Sequence, residues 1–174
     1  MQLEKHNPTV MQMMLEKASK TDLVRQFNNI TLPAILEGNY PVIGGLKREH
    51  GLEKVEKVVK IMILDLSTAF GDELNAVADE LAIEISSLHY NLTLEDIYLV
   101  FKQLKATPIY GKMTQNKLLV ALDKYWNERM DAAANINYRK HLEKKNDFIE
   151  RADRKSEIAK HREAFELYTN QKLK

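Results

Sequence analysis

Cysteine is absent from the 174-residue sequence, and glycine and proline occur only six and four times. A chain without cysteine has no disulfide framework, no thiol nucleophile and no cysteine-bound metal. Glycine and proline interrupt regular elements, so their scarcity favours helices throughout. The longest apolar runs, Ile97 to Phe101 and Leu118 to Leu122, have five residues and are far too short to cross a bilayer, so we expect no membrane partner.

Catalytic and metal-binding patterns are missing as well. No two of the five histidines stand three or four residues apart, the spacing that a two-histidine metal site on a helix requires. The sequence also contains no nucleophile elbow and no dinucleotide-binding glycine pattern. We therefore predict a protein that is not an enzyme and has no catalytic residues, no metal ligands and no cofactor. The first ten residues lack the apolar segment of a signal peptide, so we expect a cytoplasmic location.

Two helices separated by a short turn are predicted between Tyr90 and Arg129. Thr93 is a suitable N-cap, and Asp96 three residues later completes a capping box. Pro108 ends the first helix because it disfavours helical geometry in the residue before it, and Thr114 caps the second helix. Apolar residues recur at three- and four-residue intervals on one face of each helix. They are Leu94, Ile97, Tyr98, Phe101 and Leu104 in the first helix, and Leu118, Leu119, Leu122, Tyr125 and Trp126 in the second.

Two more amphipathic segments precede this pair of helices. Leu52 to Phe70 carries an apolar stripe that begins at Leu52, and Gly71 ends it. Asp72 is a suitable N-cap for the next helix, whose apolar face is expected to run from Leu74 to Leu88. Short links between four consecutive helices predict antiparallel packing of neighbours.

The sequence as a whole predicts an all-α fold, mainly an antiparallel helical bundle with a long projecting C-terminal helix. We expect N-terminal helices and an irregular linker in residues 1–51, the bundle core in 52–134 and a charged helical extension in 135–174. Within the first region, Thr21 can cap a short helix that ends near Phe27. Short helical turns are expected at Pro33 to Glu37 and at Leu46 to His50, among the glycines and prolines of the linker.

The C-terminal extension differs from the rest in charge and pattern. No proline or glycine follows Thr114, so helix can continue almost to the end of the sequence. The apolar stripe thins after Ile136, and Asn135 and Asn137 mark the expected bend. From residue 139 to 174 there are eleven Lys and Arg residues against seven Asp and Glu residues, which makes this part modestly basic.

Basic and aromatic side chains alternate along the extension in a pattern that can follow a phosphate backbone and stack on bases. The acidic residues between them would repel the same backbone, so a solvated helix surface and a protein-docking arm stay open as alternatives. The residues concerned are Arg151, Arg154, Lys155, Lys160, Arg162, Phe165 and Tyr168. Tyr110, Gly111 and Lys112 in the turn of the helix pair are a second candidate contact surface, unless they only reverse the chain.

Residues 46–129 resemble a family of uncharacterised helical proteins found in Bacteroidota genomes, prophages and mobile elements. Short, mostly structural motifs carry the resemblance: His50-Gly51, Phe70-Gly71, the Leu-Thr-Leu-x-Asp start at Leu92 to Asp96, the turn Tyr110-Gly111-Lys112, and the Tyr-x-x-x-Arg segment from Tyr125 to Arg129. Thr107-Pro108 stands where such proteins often have a glycine, which puts the local backbone there in doubt. The resemblance implies a setting and no particular activity.

Within that setting two functions fit a helical domain with a charged arm. The first is a non-enzymatic interaction protein in phage or mobile-element DNA replication or processing, of the adaptor or helicase-recruiting type. The alternative is a virion component, such as a head-tail adaptor whose C-terminal helix inserts between subunits. A protein partner is expected in both cases, whereas binding of a nucleic acid and of a second copy of the chain stay open.

Overall fold

The structure is a computed structural model, and it describes residues 20–70, 74–108 and 112–172. As predicted, the fold is all-α, and the described part of the chain contains no β-strand, only an isolated bridge between Val42 and Thr93. The helices are α1 Lys20–Phe27, α2 Leu32–Glu37, α3 Ile43–His50, α4 Leu52–Phe70, α5 Ala78–Leu88, α6 Leu94–Ala106 and α7 Gln115–Lys172.

The segment predicted as an irregular linker contains α2 and α3, which include the short helical turns expected at Pro33 to Glu37 and at Leu46 to His50, and both helices contribute to the core. Ile35 of α2 and Ile43 and Leu46 of α3 are buried. Thr31 caps α2 by accepting a hydrogen bond from the Ala34 amide. Pro33 is tolerated in the first turn of this helix because an amide at that position would be unpaired. At the other end of this segment Gly51, with φ of 91°, allows the chain to leave α3 and begin α4 at once.

Helices α4, α5 and α6 form the centre of the core. α4 packs against both α5 and α6. The small residues Ala78 and Ala82 of α5 are buried. The predicted apolar stripe of α4 is buried from Val55 to Leu66. These helices therefore bury their predicted faces.

Helix boundaries show how local signals position the core. Thr93 and Asp96 form the predicted capping box at the start of α6, and the helix ends at Ala106, two residues before Pro108. At the start of α7 the hydroxyl of Thr114 accepts a hydrogen bond from the Lys117 amide at 3.3 Å, as expected of a cap. Leu118, Leu122 and Tyr125 then face the core.

Three details of the prediction are wrong. Leu52 and Leu88, placed on inner faces, are 52% and 62% exposed, because each stands at the very end of its helix, beyond the packed part of the stripe. α5 begins at Ala78, later than the Asp72 cap would give, because residues 74–77 form tight turns in which Leu74 is already buried. Thr21 lies inside α1 instead of before it. Gly71 and Asp72 themselves lie outside the described residues.

The chain divides into two units, residues 1–130 and residues 131–174. We call the described part of the first unit the body. α7 belongs to both units and continues through Asn135 and Asn137, where a bend was expected. Within the described ranges, no helix combines the length and the apolar character that a membrane crossing requires.

Candidate nucleic-acid interface

The turn between α6 and α7 is only partly described. Tyr110 and Gly111 lie outside the described residues. Lys112 is exposed, and its carbonyl accepts a hydrogen bond from the Lys117 ammonium at 2.8 Å. Its role in partner binding stays a prediction.

The candidate residues of the extension all fall within α7. The side chains of Arg151, Arg154, Lys155, Lys160 and Arg162 are exposed. Phe165 and Tyr168 are part of the helix, but their side chains lie outside what the structure describes. Because a helix fixes which side chains share a face, the structure allows these residues to be sorted by direction.

The helix brings cations and apolar side chains together on one face. Residues three and four positions apart are neighbours on a helix surface, so a series at these intervals forms a row along it. Between residues 140 and 162 one such row has positive or large apolar side chains at every position, and we call it the basic row. It consists of Lys140, Lys144, Phe148, Arg151, Lys155, Ile158 and Arg162.

The acidic residues of the same segment lie outside the basic row. At 100° per residue, Asp147 falls on the flank of the row, and Glu143 and Glu157 fall farther round the helix. No carboxylate occupies any of the seven positions of the row. Folding into a helix therefore separates most of the charges that are intermixed in the sequence, and Asp147 is the carboxylate that stays next to the row, as a neighbour of Lys144 and Arg151.

Not every predicted cation belongs to the row. Lys160 lies on the opposite face of the helix, together with Lys145 and Arg139, and Arg154 lies on the flank that also carries Asp147. Conversely, Lys140, Lys144 and Ile158 were not predicted as site residues. Their common face depends on unbroken helix across residues 140–162, which the sequence made plausible but did not establish.

The side chains of the basic row are accessible to a partner. Phe148 is 74% exposed and Ile158 is 67% exposed, and both are large apolar groups in contact with water. Within the described residues, Lys140, Lys144, Arg151 and Lys155 form no ion pair or side-chain hydrogen bond. At 1.5 Å per residue the row is about 33 Å long. It can therefore present several cations to an anionic polymer at once.

The most elaborate charged cluster of the body is buried. Asp96 is fully buried and accepts hydrogen bonds from the Tyr125 hydroxyl at 2.6 Å, the Thr93 amide at 2.8 Å and the Arg129 Nε at 3.1 Å. Burial, followed by the hydrogen bond to Asp96, raises the pKa of Tyr125. These hydrogen bonds satisfy the buried carboxylate and join α6 to α7.

Glu95, the neighbour of Asp96, is also buried, but its Oε2 has no hydrogen-bond partner among the described residues. Burial raises the pKa of its carboxyl to about 7, against the smaller lowering effect of hydrogen bonds from its own amide and Thr93. A buried acid with a raised pKa is typical of catalytic sites. Glu95 is only 1% exposed, however, so a substrate has no access to it in this conformation.

Two clefts of the body were considered as ligand sites. The larger, about 390 Å³, lies between α4 and α5 and is lined mainly by charged side chains of both signs, including the Lys60–Asp79 ion pair at 2.7 Å. The smaller, about 190 Å³, contains Lys102 and Lys105, which are engaged with the Asn28 carbonyl and with Asp65. Ligand pockets are usually about 300–1,000 Å³ and lined mainly by hydrophobic and aromatic side chains. The smaller cleft is below that size, and the larger one has only Ala82 and Ile83 as apolar lining residues, so neither cleft matches that description.

Metal ligation gives no stronger candidate, since the residues that the structure describes contain no group of three or more His, Cys, Asp or Glu side chains able to hold a metal ion. Comparison with known proteins adds no relative from which a site could be transferred: no family model, no curated protein and no solved structure matches the chain. The basic row is therefore the candidate site, and its own geometry supports the assignment.

Proposed function

We propose that this protein is a non-enzymatic, nucleic-acid-binding accessory protein that holds a phosphate backbone on the basic row of α7. The observation that carries the proposal is the separation of charge on the helix. Five cations share one face with two exposed apolar groups, and no carboxylate interrupts them over about 33 Å. The helix places five of the nine Lys and Arg residues between positions 139 and 162 on this face, whereas none of the five Asp and Glu residues in that range occupies a position of the row.

The physical basis of binding is the release of counterions from the phosphate backbone. The logarithm of the binding constant falls linearly with the logarithm of the salt concentration. Each phosphate that a Lys or Arg neutralises adds about −0.7 to this slope for a single strand and about −0.9 for duplex DNA. Five cations on the row thus give a slope of about −3.5 to −4.5. Such binding is independent of sequence, which suits an accessory factor.

The wider setting follows from the resemblance of residues 46–129 to proteins of prophages and mobile elements. We propose that the protein acts in DNA replication or processing there, as an adaptor that joins nucleic acid to a protein partner. In this proposal the basic row holds the nucleic acid, and the protein partner binds elsewhere on the chain.

Two variants of the full chain test the proposal. The row variant replaces three cations of the basic row by glutamine: Lys144→Gln, Arg151→Gln and Lys155→Gln. The opposite-face variant makes the same change of charge on the other side of the helix: Arg139→Gln, Lys145→Gln and Lys160→Gln. We expect the row variant to lose at least tenfold in affinity for a fluorescent oligonucleotide at low salt, while the opposite-face variant stays within about threefold of the wild type.

Three outcomes would contradict the proposal. The first is no binding of the wild type to any oligonucleotide at low salt, and the second is an equal loss of affinity in both variants. The third is binding to anionic lipid vesicles with none to nucleic acid, since basic helices with apolar residues on the same face also attach to membrane surfaces. Circular dichroism of both variants checks that the helix content is unchanged.

A further inference from the structure

The cations of the basic row follow a nearly straight line. Lys140, Arg151 and Arg162 are separated by steps of eleven residues, and so are Lys144 and Lys155. Eleven residues make almost three whole turns of an α-helix, so a series at this spacing runs almost parallel to the helix axis. The five cations stand at about 0, 6, 16, 22 and 33 Å along it.

A straight row of this length fits a duplex poorly. Double-stranded DNA completes a turn in 10–10.5 base pairs, or about 34–36 Å, so each strand winds right round the duplex over the length of the row. A helix lying in the major groove has a phosphate backbone on each side. Here the flank that would face one of those backbones carries two carboxylates, Asp147 and Glu143, and one cation, Arg154.

A single strand is free of this constraint, because it can extend along the row and place successive phosphates near successive cations. Proteins that bind single strands without sequence preference combine such a basic track with aromatic side chains on which bases stack. Phe148 stands in the row between Lys144 and Arg151, and 74% of it is exposed. Its ring is thus available as a stacking platform between two phosphate contacts.

We propose that the basic row binds a single-stranded nucleic acid, with phosphates on its five cations and a base stacked on Phe148. This inference rests on the proposed function, because it names the form of nucleic acid that the same row prefers. Stacking of one base on one aromatic side chain contributes about five- to a hundred-fold in affinity. The phosphate contacts are common to single-stranded DNA and RNA, and separate arms of the test distinguish these two sources.

The test is a titration of the full chain against labelled single-stranded DNA, single-stranded RNA and duplex DNA of the same length, about 20 nucleotides, at one fixed salt concentration. We expect at least one single strand to bind tenfold more tightly than the duplex. Phe148→Ala should weaken that binding at least fivefold. Phe148→Trp, which keeps an aromatic ring at this position, should bind as tightly as the wild type. Leu142→Ala, which removes an exposed apolar side chain from the opposite face, is the matched control and should have no effect.

The outcomes separate this inference from the proposed function. Equal or tighter binding of the duplex would overturn the single-strand preference and leave phosphate binding by the row intact. A Phe148→Ala variant that binds the single strand as tightly as the wild type would overturn the stacking role. An absence of binding to all three oligonucleotides at low salt would overturn both proposals together.

Discussion

The body and the second unit handle charge in opposite ways. In the body, Asp96 and Glu95 are removed from water, and Asp96 is compensated by directed hydrogen bonds from Tyr125 and Arg129 of α7. In the second unit, every described side chain from 137 onward is exposed, and the charges are sorted by helical direction. The same residue types therefore specify how helices pack in the first unit and provide a charged surface in the second.

This difference has an energetic consequence. A buried charge that loses its partner carries an uncompensated desolvation cost, whereas an exposed charge is already solvated and contributes little to stability. Loss of the buried Asp96 should therefore destabilise the body, whereas substitutions of exposed charges should leave α7 helical beyond it.

The largest effect is expected from Asp96→Ala. The change removes the capping box of α6 and leaves the Arg129 guanidinium and the Tyr125 hydroxyl without their acceptor. We expect a loss of about 3–5 kcal/mol in the free energy of unfolding, measured by urea denaturation. Tyr125→Phe, which removes one donor and keeps the ring, should cost only about 1 kcal/mol. Equal and small losses in the two variants would show that Asp96 is not the centre of this cluster.

Glu95 should make the stability of the body depend on pH. Its folded-state pKa of about 7 lies above the ordinary value of 4.5, so the folded chain binds this proton more tightly than the unfolded chain does. The resulting stabilisation is complete below pH 4.5 and is lost as the pH rises through 7. At 1.36 kcal/mol per unit of pKa, the loss is about 3 kcal/mol.

Glu95→Gln, which imitates the protonated acid, isolates this effect from other titrating groups. Its free energy of unfolding should be close to that of the wild type at pH 5 and higher by up to about 3 kcal/mol at pH 8. Urea denaturation at several pH values measures the difference. A difference that stays constant from pH 5 to pH 8 would mean that Glu95 keeps one protonation state over this range.

The smallest effect on stability is expected from the row variant. Its three cations are exposed and, within the described residues, unpaired. We expect a free energy of unfolding within about 0.5 kcal/mol of the wild type. A much larger loss would show that the basic row has a structural partner, and the contrast between the two regions would then fail.

Much of the fold could be predicted from the sequence because its signals are local. The Thr93–Asp96 capping box, the stop before Pro108 and the stripe of α4 each depend on residues a few positions apart. The segment 28–51 was harder, since its glycines and prolines indicated irregular structure. Its order depends on contacts distant in sequence, such as the hydrogen bonds from the Ile43 and Gly44 amides to the Leu92 and Tyr90 carbonyls at 2.8 Å.

The site was predictable only in part for the same reason. Arg151, Lys155 and Arg162 were identified from composition, but their separation from the acidic residues becomes visible only once the helix is known to continue past residue 136. Applying the helical period to residues 140–162 would have identified Lys140, Lys144 and Ile158 as well. No such signal indicated the buried hydrogen bonds from Tyr125 and Arg129 to Asp96. These bonds join two helices, and the sequence does not show how those helices align with each other.

The most direct test of the central claim, that one face of α7 binds phosphates, is the salt dependence of oligonucleotide binding. Each of the three binding curves, for the wild type, the row variant and the opposite-face variant, is measured at several salt concentrations. Removing three phosphate contacts should make the slope of the row variant shallower by about two for a single strand, and the opposite-face variant should keep the wild-type slope. Identical slopes for the two variants would show that binding follows net charge alone and would contradict the account.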